Sequence, residues 1–376
     1  MISRVRLKNY RSIGELQVID LQPITVLVGA NNSGKSSFLR FVELARNPNL
    51  GLQSLWHRPP MADRELLIEW TVPNAAGMGP ATWSLTAQTH GTEITSTEKV
   101  THDNREIVSN VVAGPSRYSL QLLGTHVGTS YGSCAAPAVL NEFRHRNEDP
   151  YRGATKILAA LIDPMRTARD VHLKVDALRA DNQLVPKTTI GIEGSGLAGL
   201  VAEWQLTQPE MIQVYNDLMS RCLPELRRVL VQCEQPGSVR LFFEHVDGEY
   251  FDATQVSDGV LIFAGLIAHA LVAPPNGIVL LEEPERGIHP RRLTEFVDLL
   301  RTIFHERGTQ FIMATHSTAL LNLFRDEPEN ILAFRRTPGG TAVQKVSEMK
   351  DLAETLSRAD PGELLANGVF NEDFQG

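Results

Sequence analysis

Hydrophobic and polar positions alternate over residues 3–8 and 15–19, as they do in half-buried antiparallel strands. Residues 24–28, ITVLV, are apolar throughout and rich in β-branched side chains, which predicts a strand covered on both faces. GIVLL at 277–281 and QFIMA at 310–314 share that pattern. A loop and a helical periodicity follow each of the three, so their order implies a parallel sheet flanked by helices. From about 64 to 112 the chain turns polar and alternating (LLIEWTV, ATWSLTAQ, TEITSTEKV), which predicts a small antiparallel sheet inserted after the first helix. Apolar positions three and four apart over 165–180 and 208–230 predict a helical lobe. Residues 238–254 read as a hairpin turning at Asp247 and Gly248. The fold expected is α/β with a split core. Residues 1–112 form its first part with the inserted sheet, 113–236 the helical lobe, and 237–376 its second part.

Composition narrows the class. A chain of 376 residues is long for one domain, so one domain with an insertion, or two lobes, is expected. Hydrophobic residues at 42% and charged residues at 21% are ordinary for a soluble globular protein. A net charge of −8 argues against a globally basic nucleic-acid coat and leaves room only for a local basic groove. The three cysteines, Cys134, Cys222 and Cys233, form no CxxC pair, which fits a reduced, cytoplasmic compartment. The N-terminus, MISRVRLKNYRSIG, has no apolar signal-peptide core. The longest apolar run, 260–274, contains His269 and falls short of the roughly 20 residues a membrane helix needs. It predicts a buried core helix, and no membrane partner is expected.

Two motifs carry chemistry. GANNSGKS at 29–36 fits G-x-x-x-x-G-K-[ST] between an apolar strand and a helical stretch, the context that a phosphate-binding loop requires. Its glycines, Gly29 and Gly34, permit the tight turn. The backbone N–H groups of Ala30, Asn31, Asn32, Ser33 and the residues up to Ser37 would face phosphates at a helix N-terminus. Lys35 would reach the β- and γ-phosphates of ATP, and the Ser36 hydroxyl would ligate Mg²⁺. Glu282 and Glu283 end the strand GIVLL, where ligands bind in parallel α/β sheets. Glu282 would hold the metal, and Glu283 would orient and polarise the attacking water. His316 ends the next buried strand, placed to hydrogen-bond the γ-phosphate or that water.

Together these pieces resemble the ABC-type ATPases of the SMC/RecF/OLD class, a P-loop NTPase family. IxxVRLKNYRSI with LQPITVLVGANNSGKSS is similar to their N-terminal signature, VSDGV at 256–260 to their short ABC signature, LLEEPERGIHP to their Walker B and D-loop, and ATHS to their switch histidine. LIDPMR at 161–166 and IGIEGSGLAGLV at 190–201 are similar to stretches between their two halves. The clear match covers about 1–45 and 250–325. The resemblance implies a head-to-tail homodimer or higher homo-oligomer, in which Ser257 and Gly259 of one subunit cover the γ-phosphate held by another. Ser257 also reads as a helix cap. Glu285 and Arg286, within 282–292, would lie where D-loops meet across such a dimer. Three departures stand out. The Gln of the usual Q-loop has no clear match, with Gln53 and Gln88 as candidates. No heptad arm appears, and the tail 326–376 is too short for a Toprim nuclease domain.

Three functions remain open on the sequence. The first is a switch or motor in bacterial DNA repair or anti-phage defence that works with a separate effector, a nuclease or toxin. The second is a RecF-like DNA clamp, for which Arg166, Arg169, Lys174, Arg179, Arg221, Arg227 and Arg228 are the candidate groove; such residues also read as solvated helix faces. The third, a transporter subunit, lacks a full LSGGQ signature and a Q-loop.

Overall fold

The N-terminal alternation becomes β1 (Arg4–Lys8) and β2 (Gln17–Asp20), paired antiparallel. The computed structural model describes residues 1–46, 52–57, 65–90, 93–112, 118–122, 125–130, 140, 151–186, 189–286, 288–349, 356 and 359–371. The chain divides into two units, the first made of 1–168, 327–358 and 367–376, the second of 169–326 and 359–366.

In the first unit, the polar alternating segment forms β4 (Glu65–Val72), β5 (Ala81–His90), β6 (Glu93–His102) and β7 (Arg105–Val112). Every second residue of β4 is buried, as its period of two requires. These strands are not a separate small sheet. β4 pairs with β1 along its length, and the order β2-β1-β4-β5-β6-β7-β8-β9 makes one eight-stranded antiparallel sheet. Its last members, β8 (Tyr118–Leu122) and β9 (Thr125–Ser130), lie in the segment expected to be helical. Trp70 and Trp83 face each other across β4 and β5 with ring centroids 3.8 Å apart. Such pairs contribute about 0.5–1.5 kcal/mol beyond their buried area. Helix α3 (Tyr151–Arg166) buries Leu158, Leu161, Ile162 and Met165, and its Leu161 carbonyl accepts the Trp70 indole N–H at 3.1 Å. A second sheet segment holds β3 (Ile24–Val28), buried at every position, parallel to β17 (Ile331–Thr337), which pairs antiparallel with β18 (Gly340–Lys345).

In the second unit, β15 (Ile278–Glu282) and β16 (Gln310–Ala314) run parallel, as their apolar sequences predict. A third parallel member, β10 (Arg169–Val171), joins β15 on its other edge. This corrects the expected helix over 165–180: α3 stops at Arg166, and only α4 (Val175–Arg179) is helical beyond β10. The helix expected over 208–230 is likewise shorter. It follows α5 (Leu197–Thr207) as α6 (Pro209–Cys222), and the chain then becomes β12 (Leu226–Gln235). RRVLVQC reads with either period, but β-branched valines and an eight-residue partner strand favour the extended form. β12 pairs with β13 (Ser238–His245), which is flanked by β11 (Asn182–Gln183) and by β14 (Tyr250–Asp252) across the turn at Asp247 and Gly248.

The apolar run becomes α7 (Asp258–Val272), whose residues from Leu261 to Leu271 are all buried. It is the core helix expected, and among the described residues no helix is long and apolar enough to cross a membrane. The fully buried Tyr215 of α6 donates its hydroxyl to the Ala264 carbonyl of α7 at 3.1 Å. On the same helix His269 is fully buried. Its Nδ1 accepts from the Arg169 Nε–H at 3.2 Å, and its Nε2 lies 3.1 Å from the Gly191 carbonyl. The imidazole is therefore neutral, with its proton on Nε2. Burial, and secondarily the Arg169 charge, lower its pKa from 6.5 to about 3. The unfolded chain takes up that proton near pH 6.5, whereas the folded chain does not. Stability contributed by neutral His269 is thus complete above pH 6.5 and declines as the pH falls toward 3, by up to about 1.4 kcal/mol per pH unit. Thermal melts should show a falling Tm between pH 6.5 and 5, with a shallower slope in His269→Gln.

Candidate functional site

In the first unit, β3 delivers the chain into residues 29–36. Gly29 has φ 139° and Gly34 φ 110°, with Asn32 also left-handed at 63°. A Cβ on Gly29 would collide with the Phe334 carbonyl, and one on Gly34 with the Thr341 and Ser12 side chains. Only glycine meets both the torsion and the space at these two positions. Helix α1 (Lys35–Leu39) starts from Gly34. The Lys35 side chain curls back over the loop, and its Nζ donates to the carbonyls of Gly29 at 2.7 Å and Ala30 at 3.0 Å. Ala30, Asn31, Asn32 and Ser36 are exposed, Ser37 is half-buried, and Ser33 is buried. The Ser33 hydroxyl has no hydrogen-bond partner among the described residues. Its carbonyl accepts from Thr341 Oγ1 at 2.8 Å, and the same Thr341 oxygen lies 2.9 Å from the Ser12 hydroxyl. The floor of the loop is therefore braced by β18 and by the segment after β1, a brace that the sequence pattern did not reveal.

In the second unit, Glu282 ends β15, with its carboxylate 3.7 Å from the His172 imidazole at the end of the neighbouring β10. Glu283 follows in the left-handed region, φ 48°, with its side chain exposed. Strain of this kind in a non-glycine residue concentrates at functional sites. Glu282, Glu283, Arg286 and His172 help to line a cleft of about 340 Å³. His316, exposed, lies two residues beyond β16, and the parallel pairing of β15 with β16 sets Glu282 opposite Ala314, the last residue of that strand. His172 was missed in the sequence because β10 is only three residues long and begins with Arg169 and Asp170.

Ser257 is the N-cap of α7: the Val260 amide points at its hydroxyl at 3.5 Å, a long bond. Asp258 is held by Arg179 at 2.7 Å, and Gly259 lies in the first turn. Ser257 and Gly259 both line a groove of about 390 Å³ that also includes Cys222, His289 and Arg292. Of the residues considered as a basic groove, Arg166, Lys174 and Arg179 each carry a carboxylate partner, Arg227 and Arg228 share that of Glu244, and Arg169 serves the buried His269. Gln88 is an exposed residue of β5, in register with Glu65 and Thr95. The Gln53 side chain and Cys134 lie outside the described residues.

Residues 115–322 match the family described as "AAA domain, putative AbiEii toxin, Type IV TA system", more than half of the chain. Residues 1–69 match the family described as "AAA ATPase domain". No curated protein matches the chain. Among solved structures, an SMC head bound to the C-terminal winged-helix domain of ScpA aligns with TM-score 0.55 and 13% identity, over 91% of this chain and 96% of that one. An Smc head domain with an extended coiled coil, bound to the C-terminal domain of ScpA from Pyrococcus furiosus, aligns with TM-score 0.49 and 12% identity, over 95% and 99%. The likeness in fold rests on the first of these.

Proposed function

This chain belongs to the AAA-domain family that spans residues 115–322, an ABC-type ATPase related in fold to SMC heads, and from that premise we propose that it binds ATP with Mg²⁺ and hydrolyses it. The observation that carries the reading is the loop 29–36. Two glycines hold it in a shape open to no other residue, and an ammonium is curled onto the loop's own carbonyls. In this reading the backbone N–H groups of the loop cradle the phosphates, Lys35 moves from loop carbonyls to the β- and γ-phosphates, and Glu283 orients the attacking water. His316 hydrogen-bonds that water or the γ-phosphate. The metal donors would be the exposed Ser36 hydroxyl and the Glu282 carboxylate. Both are hard oxygens, and Mg²⁺ takes one or two protein oxygens alongside nucleotide phosphates. The ion, when bound, supplies positive charge to the transferring phosphoryl group. Competition against a fluorescent ATP analogue tests the nucleotide assignment: ATP and ADP should displace it, whereas AMP, which lacks the β- and γ-phosphates that Lys35 would reach, should not. Displacement by AMP as strong as by ATP would remove the loop from the site.

The wider role we propose is the cytoplasmic switch or motor of a defence or repair system, acting on a separate nuclease or toxin effector; the toxin–antitoxin description of the family supports it. The DNA-clamp reading loses support from the carboxylates that hold five of its seven candidate bases. We further propose that two copies associate head to tail, with Ser257 and Gly259 of one covering the γ-phosphate of the other. A Lys35→Ala homodimer and a Ser257→Arg homodimer should both be inactive. Mixed dimers would hold one intact composite site, and should recover up to about half the wild-type rate if sites fire independently. No recovery at any ratio, after subunit exchange is verified, would end this arrangement.

A further inference from the structure

The turn after β15 carries a third carboxylate, and it faces inward. The Glu283 amide donates to the Ala314 carbonyl at 2.8 Å, which folds the turn back over the end of β16. Glu285 then meets the loop beyond that strand. Its Oε1 accepts the Thr315 hydroxyl at 2.6 Å and the His316 amide at 3.3 Å. Thr315 is fully buried, and its oxygen accepts the Ser317 amide at 2.9 Å. Ser317 in turn caps α9 (Thr318–Asn322) through the Leu320 amide at 3.1 Å. One carboxylate thus holds Thr315 and His316, and Thr315 in turn holds the Ser317 amide. Glu285, expected at a contact between copies, is turned toward its own chain.

We propose that Glu285 is a positioning residue that fixes the loop bearing His316 against the turn bearing Glu283, so that both groups meet the same water and γ-phosphate. The proposal rests on the ATPase reading above. In this proposal Glu285 acts through the loop that bears His316 and not on the nucleotide directly. A shift of about 1 Å in a catalytic group costs on the order of 10² in rate, which sets the size of the effect.

The test uses the full-length protein and three variants, Glu285→Ala, Glu285→Gln and Thr315→Val. Hydrogen–deuterium exchange reads the His316 and Ser317 amides without nucleotide; kcat and the Kd for a fluorescent ATP analogue are read separately. Glu285→Ala leaves the Thr315 hydroxyl and the His316 amide without their acceptor. Exchange at His316 and Ser317 should accelerate by about tenfold or more. kcat should fall by about 10- to 100-fold, with Kd changed less than about threefold. The Gln amide oxygen still accepts both donors, so Glu285→Gln should restore slow exchange and most of kcat. Thr315→Val, nearly isosteric, should speed exchange at Ser317 even if Glu285→Ala fails to fold. Unchanged exchange in Glu285→Ala and Thr315→Val overturns the proposal, as does a Glu285→Gln protein with restored exchange but the full loss of rate. A wild type that does not hydrolyse ATP would refute the ATPase reading, and exchange would still decide whether Glu285 fixes the loop.

Discussion

A Lys35→Ala protein should show no saturable ATP binding in a calorimetric titration that gives the wild type a clear isotherm. Lys35 is only 8% exposed, and its ammonium already lies within the loop, on the Gly29 and Ala30 carbonyls. Phosphate oxygens entering the loop would take over those bonds and add charge. Truncating one partner of a largely desolvated charge pair costs about 2–5 kcal/mol, or roughly 30- to 4,000-fold in affinity. Glycine adopts the torsions at 29 and 34 without help from a side chain, so the variant should fold and the loss should be local. Affinity within about threefold of wild type would sink the loop assignment.

Glu283→Gln should separate binding from turnover. The amide keeps the shape of the side chain but cannot polarise water, and a positioned base contributes about 10²–10⁴ in rate. The exposed Glu283 carboxylate makes no structural bond that the amide would break among those described, whereas its backbone, at φ 48°, anchors the turn through Ala314. ATP affinity should therefore stay within about threefold while phosphate release falls at least about 10²-fold. Near wild-type turnover would move the role to Glu282 or another residue. Glu282→Gln should behave differently, by weakening the dependence of binding on Mg²⁺.

What the sequence made readable was local. The strand at 24–28, the two apolar strands that became β15 and β16, the core helix α7 and the turn at Asp247 and Gly248 are each set by a short run with its own periodicity or turn residues. The phosphate-loop candidate was equally visible, because spacing within eight residues dictates its chemistry. What failed to show depended on partners far along the chain. β10 has three residues and no apolar run, and exists because β15, more than a hundred positions later, offers it an edge. β12 replaces the expected helix because VLV suits both periods until β13 is there to pair with it. The inserted strands looked self-contained, since nothing in them announces that β4 pairs back onto β1. Glu285 was visible as a letter and not as a contact, since its inward turn follows from the left-handed Glu283 and its partners lie thirty residues on.

The most direct test of the central claim is phosphate release from ATP and Mg²⁺, measured side by side for wild type, Lys35→Ala and Glu283→Gln. The account predicts steady turnover by wild type, no turnover above background by Lys35→Ala, and a rate at least about 10²-fold lower than wild type for Glu283→Gln. A wild-type rate no higher than that of Lys35→Ala, in protein shown to be folded, would contradict it.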